Sequence, residues 1–187
     1  GFNEISIMDN SNVSKLLTEM EKLELLVDFI IIDTGAGVSN IVLDFVMASD
    51  EVIIIVTPDP TSLMDGYTMI KALTTNEYRG KLNIVANIVN GRVEAENIFY
   101  KLDKVSKNFL NIKLYFLGYL EKSDIVNRAI INQRPLLLSN PKSTIAQKIN
   151  IMALNFAGAC NLNNLRYATQ KKSFTQKLRD LIFREGG

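Results

Sequence analysis

The chain predicts an α/β fold: a doubly wound, mostly parallel sheet with helices on both faces. Three observations point to the sheet. Apolar runs rich in β-branched residues, at Phe29–Ile32, Val52–Val56 and Leu82–Val89, are bounded by turn residues and read as strands buried on both sides. Segments with apolar residues at helical spacing separate these runs. The first run ends in Asp33, with glycines at 35 and 37, at the strand end where open α/β sheets place their ligands.

The elements follow in order. Gly1 to Met8 reads as a short strand or an irregular lead-in. Residues 11–26 carry Val13, Leu16, Leu17, Met20, Leu23 and Leu26 on one helical face, behind possible caps at Asn10 and Ser11. Strand 28–32 is followed by a helix near 39–48. Glu51 to Thr57 is a second buried strand, closed by Pro58-Asp59-Pro60, and Leu63, Tyr67, Ile70 and Leu73 mark the next helix. Leu82 to Val89 is the third strand, and Ala95, Ile98, Phe99, Leu102 and Val105 lie on a helix after it. Lys113 to Leu120 is the fourth strand, with a helix through Ile125, Val126, Ala129 and Ile130. Pro141, at the first helical position, opens a long helix with Ile145, Ile149, Met152 and Phe156. Crossovers in such a sheet are right-handed.

Composition narrows the chemistry. The 187 residues suit one domain with a substantial core. Lys plus Arg is 21 and Asp plus Glu is 20, so there is no global basic field for nucleic acid. The absence of histidine excludes a His-based triad and His metal sites. Cys160 is the single cysteine, which permits no intrachain disulfide or thiolate cluster and fits a reducing, intracellular location. There is no apolar run of about 18 residues and no visible signal peptide. The first residue is Gly1, not methionine, as in a fragment or processed product.

At Asp33 the motif alone leaves two readings. In phosphate chemistry an acid here holds magnesium through water, and the N–H groups that follow face the terminal phosphate. Equally, the strand simply ends in a turn and Asp33 caps a helix.

Taken together, DFIIIDTGAG, SDEVIIIVTPDPTSLMDGY, VANIVNGRVEAENIF and LGYLEKSDIVNRAIINQRPLLLSNPKS resemble the MinD/ParA group of P-loop ATPases, and within it the FlhG (YlxH) type that governs flagellar number and placement. The resemblance runs from Gly1 to about Gly158. It implies ATP and magnesium as cofactors. Asp33 is then the magnesium-side acid, Gly35 and Gly37 border the phosphates with Gly37 sensing the γ-phosphate, and Asn87 reads the adenine edge, for which an amide offers donor and acceptor together. Read without the family, Asn87 is a strand-end amide satisfying backbone groups. Asp65 matches an acid near the family's dimer face and reads equally as a solvated helix residue. The resemblance further implies a homodimer in the ATP state, a flagellar or division-site protein partner, no specific nucleic acid, and a cytoplasmic protein peripheral on the inner face of the membrane.

The chain also departs from the family. Ile88 stands where Arg often follows the asparagine, and Glu121, Lys122 and Ser123 replace the usual Pro-x-Asp. The motif G-x-x-x-x-G-K-[ST] does not occur; Gly80-Lys81 is followed by Leu82. By the resemblance the phosphate-binding loop lies upstream of Gly1, so the chain corresponds to the C-terminal two-thirds of an ATPase domain and is expected to be inactive alone. Two other readings compete: a receiver- or flavodoxin-like signalling module, which lacks the needed acidic pair and lysine, and a ParA-type DNA-partitioning ATPase, which the balanced charge disfavours.

The expected organisation is an ATPase domain over 1–158, a tether over 159–170 and an amphipathic helix over 171–187. In the last, Phe174, Leu178, Leu181 and Ile182 fall on one face, and five basic residues against two acidic give it a charge of +3. A short basic amphipathic helix reads as a membrane-surface element, here for anionic lipid, or as a terminal helix docked on its own domain.

Overall fold

The computed structural model describes residues 10–35, 37–159 and 172–183. Helix α1 (Asn10–Glu24) and helix α2 (Asn40–Ala48) precede three strands, β1 (Glu51–Val56), β2 (Lys81–Val89) and β3 (Tyr115–Glu121). Helix α3 (Pro60–Thr75) connects β1 to β2, and α4 (Arg92–Leu110) connects β2 to β3. After β3 come α5 (Asp124–Ile131), the one-turn α6 (Leu136–Ser139), α7 (Thr144–Ala159) and α8 (Phe174–Ile182).

The strands are parallel and ordered β1-β2-β3. Alternation along each strand decides what each face meets. Val52, Ile54 and Val56 of β1 share one face with Leu82, Ile84 and Ala86 of β2, and there form the main core with Val42 and Val46 of α2, Ile70 and Leu73 of α3, and Ala95, Ile98 and Leu102 of α4. Gly66 lets α3 press onto this face, since a Cβ there would stand 2.7 Å from Val56 Cγ1. On the opposite face Ile55, Val85 and Gly118 form one row across the three strands. Helix α7 covers the Gly118 end so closely that a Cβ would lie 2.5 Å from Met152 Sδ. The other end is bare: Ile53 and Ile55 are 44% and 61% exposed. Helices thus flank both faces, as expected, but the second is only half covered.

Phe29–Ile32 corrects an expectation. It is not a strand: Phe29 to Gly35 has no regular structure, and Ile31 is 92% exposed. A strand is defined by the ladder that satisfies its backbone. Among the described residues this segment pairs with no strand, and β1 is left as a sheet edge. Asp33 therefore does not end a central strand; β2 is the middle one. Pro141 also does not start α7, but lies in a turn before it, and Ser143 holds the helix start by accepting from Ala146 N at 3.3 Å. Helix α6 was not anticipated. Gly1 to Met8 and nearly all of the tether fall outside the described residues, and Ala159 is the last residue of α7.

A second cluster joins α1, α2 and α8. Val13, Leu17, Phe45, Ala48 and Leu178 are buried in it, with Phe174, Leu181 and Ile182 packed against them. Helix α8 starts with a capping box between Ser173 and Gln176. Its rim is polar: Thr175 N donates to Glu24 at 2.9 Å, Lys177 pairs with Asp50 at 2.7 Å and Arg179 with Glu21 at 2.8 Å. Exposed pairs of this kind contribute about 1 kcal/mol or less each, so the apolar stripe supplies most of the docking energy.

Candidate functional site

Parallel strands finish on the same side, so Thr57, Asn87–Asn90 and Glu121–Ser123 line one edge of the sheet. Each strand end hands over to a helix by a local bond. Ser62 Oγ accepts from Thr57 N at 3.0 Å, and Asp59 caps α3 by accepting from Thr61 N at 2.7 Å. Glu94 of α4 accepts from both Asn90 N (2.6 Å) and Asn90 Nδ2 (3.0 Å), and Ser123 caps α5.

The middle of this edge is strained. Ile88 adopts φ +57°, a left-handed conformation that costs a β-branched residue free energy. It sits at a register shift where Asn87 and Val89 pair with the consecutive residues Leu120 and Glu121, so Ile88 is a bulge and its side chain is exposed. Asn87 Oδ1 accepts from Ile88 N at 3.0 Å. The amide oxygen of Asn87 is therefore engaged in holding the bulge, which leaves its N–H donors for an outside acceptor. Beside it, Lys148 of α7 pairs with Glu121 and lies 3.8 Å from the Tyr119 ring centroid. Burial works against the Lys148 charge, but hydrogen bonds to Glu121 and Tyr119 outweigh it and hold the ammonium above its ordinary range.

The Asp33 loop leads into α2. Only Ser49 and Asp50 separate α2 from β1, so α2 runs back along the sheet and its N-terminus is directed towards the edge where the strands end. Ser39 caps that helix by accepting from Val42 N at 3.4 Å. Asp33 and Gly35 are exposed, and Gly37 has φ +96°, which only glycine adopts without strain. No hydrogen bond or ion pair joins Asp33 to Asn87 among the described residues. Asp65 is exposed on α3.

Chemically, the loop before α2 offers an exposed carboxylate at Asp33, and the strand-end edge offers an amide with spare donors at Asn87 and an exposed apolar side chain at Ile88. Among the described residues no group of three or more His, Cys, Asp or Glu stands together as metal ligands. Magnesium bound by a single carboxylate relies on water and phosphate oxygens for its other positions. Among the described residues nothing at this edge forms a lysine-bearing cradle for a triphosphate, so no phosphoryl-transfer step is assigned to these residues. Sequence reasoning missed the Ile88 bulge and the Lys148–Glu121 pair. The Ile88 position had drawn notice only for its residue type, and Lys148 lies far from Glu121 in sequence. No described helix is long and apolar enough to cross a membrane.

No family model matches the chain. Three relatives do. The antiactivator FleN of Pseudomonas aeruginosa is 32% identical over 130 residues, covering 66% of this chain and 46% of FleN. The flagellum site-determining protein YlxH of Helicobacter pylori is 34% identical over 127 residues, covering 67% of this chain and 42% of YlxH. An uncharacterized ATP-binding protein of Methanocaldococcus jannaschii is 29% identical over 163 residues, covering 87% of this chain and 58% of that protein. The chain thus spans about half the length of the curated relatives it matches.

Proposed function

The chain is a homologue of FleN and YlxH, and from that premise we propose that it is the adenine-side and membrane-side part of a MinD-like, FlhG-type ATP-binding protein that sets flagellar number or placement. The observation that carries this reading is the 32–34% identity to those two proteins over 127–130 residues. In this reading Asn87 offers its free N–H donors to the adenine edge, Gly37 presents its N–H to the γ-phosphate, and Asp33 holds magnesium through water. The parts that cradle the triphosphate come from outside these residues. The free edge of β1 and the unpaired Phe29–Ile32 are where a further strand would pair.

The whole protein then forms a homodimer with ATP bound and associates with an anionic membrane through α8. With Phe174, Leu178, Leu181 and Ile182 packed against α1 and α2, lipid binding requires α8 to leave its dock. Two weak tails brought together in a dimer bind by avidity, which suits a switch.

The test is titration of a fluorescent ATP analogue with magnesium, beside a phosphate-release assay. The isolated chain is expected to bind weakly, to lose that binding in Asn87→Ala and to release no phosphate above background. Turnover that disappears on Asp33→Ala would overturn the assignment of the cradle to other residues. Binding indifferent to both Asn87→Ala and Asp33→Ala would overturn the site.

A further inference from the structure

On the reading of α8 as a membrane-surface helix, on which this inference rests, we propose that its dock is a poised latch. The buried hydroxyl of Thr175 weakens the dock from inside, so that an anionic lipid surface can take the helix from it.

Thr175 lies in the first turn of α8 and is 0% exposed. Its backbone N–H donates to Glu24 at 2.9 Å, so the main chain is satisfied at this point. Its side chain is not: Thr175 Oγ1 is buried and makes no hydrogen bond among the described residues. The side chains buried in the dock, Val13, Leu17, Phe45, Ala48 and Leu178, are all apolar and can offer it no acceptor. A hydroxyl taken out of water without a partner opposes the burial that surrounds it. Thr175 stands three residues before Leu178 and seven before Ile182, at the margin of the apolar stripe. Docking therefore strips this hydroxyl of water, and release returns it.

The rim names the competitor. Asp50 holds Lys177, Glu21 holds Arg179, and Glu24 accepts from the N-terminal turn of the helix. Each carboxylate stands where a lipid phosphate would serve the same basic helix. An anionic surface can thus replace both halves of the dock at once, the apolar cluster by acyl chains and the carboxylates by headgroups. It also supplies what the dock withholds, because a helix lying in the headgroup region keeps its margin in contact with water and oxygen acceptors. A surface without net negative charge replaces the cluster but not the ion pairs.

The experiment compares Thr175→Val, which deletes the hydroxyl at nearly the same shape, with Thr175→Ser, which keeps it. Both are made in the full chain. The readouts are hydrogen exchange over Leu178–Ile182 and flotation with phosphatidylcholine vesicles carrying increasing phosphatidylglycerol. Thr175→Val is expected to slow exchange about fivefold or more and to need a higher phosphatidylglycerol fraction for half-maximal flotation. The sign is diagnostic: valine makes the stripe more apolar, so a helix that met lipid without first leaving a dock would float more readily in this variant. Thr175→Ser keeps the unpartnered hydroxyl and is expected to exchange at least as fast as the wild type. Unchanged or faster exchange in Thr175→Val, or its flotation at an equal or lower phosphatidylglycerol fraction, would overturn the latch while leaving α8 a membrane helix. A wild-type chain that floats at no composition would overturn the membrane reading of α8 and the latch with it.

Discussion

Replacing Leu17 by alanine should drive α8 off its dock without altering a single residue of α8. Leu17 is fully buried on α1, in the cluster that receives Leu178 and Phe174. Truncating a buried leucine costs about 2–5 kcal/mol. Leu17 also packs against α2, so assigning about half of that loss to the α8 contact leaves about 1–2.5 kcal/mol. Because about 1.4 kcal/mol is tenfold, the ratio of released to docked helix should rise by roughly five- to sixty-fold. Apparent affinity scales with the fraction of the competent state, so binding to anionic vesicles should tighten by a similar factor while release remains uncommon. Hydrogen exchange over Leu178–Ile182 reports release, and liposome flotation reports lipid binding. Leu178→Glu, which damages the stripe itself, should abolish flotation although it too undocks the helix. Faster exchange in Leu17→Ala with no gain in flotation would refute the exchange between dock and membrane. Unchanged exchange would refute the role of Leu17 in the dock.

Three further outcomes follow from the geometry. Ile88→Gly relieves the left-handed strain at the bulge and should stabilise the fold by about 1 kcal/mol in urea titration; destabilisation would show that the isoleucine side chain is worth more than its backbone costs. Burial pushes the Tyr78 hydroxyl up to about 12 against the lowering effect of its bond to Ser49, so the native state keeps this proton where the unfolded chain loses it. Stability should therefore be level below pH 10 and fall between pH 10 and about 12, by up to about 1.4 kcal/mol per pH unit, and Tyr78→Phe should flatten that limb; an unchanged limb would assign it elsewhere. Finally, the bare end of the second face at Ile53 and Ile55 should make the chain self-associate at high concentration, and Ile55→Lys should return it to a monomer by sedimentation; identical behaviour of the two would acquit that face.

The sequence announced β1 to β3 because each is an apolar run whose neighbours lie a single helix away along the chain. The same pattern at Phe29–Ile32 misled, since apolar, β-branched content marks a segment fit for a buried ladder but cannot supply the partner. Asn87 shows a similar limit. Its place at a strand end was readable, but the bond that commits its oxygen to Ile88 N depends on a bulge no periodicity reports. In α8 the stripe was readable, but a stripe of four apolar residues is the same whether it meets lipid or meets Phe45 and Leu17. Helix α6 is a single turn, too short for any repeat to register.

The strand order bears on how the protein is made. In many open sheets the middle strands are distant in sequence, and the first to emerge must wait for partners synthesised much later. Here β1, β2 and β3 lie side by side in the order in which a ribosome delivers them. Each new strand finds its place already marked by the previous one, with α3 and then α4 closing over the same face as it settles. Contacts this local favour quick assembly and limit the time an apolar strand spends uncovered in the nascent chain. Among the described residues the sheet therefore grows away from β1.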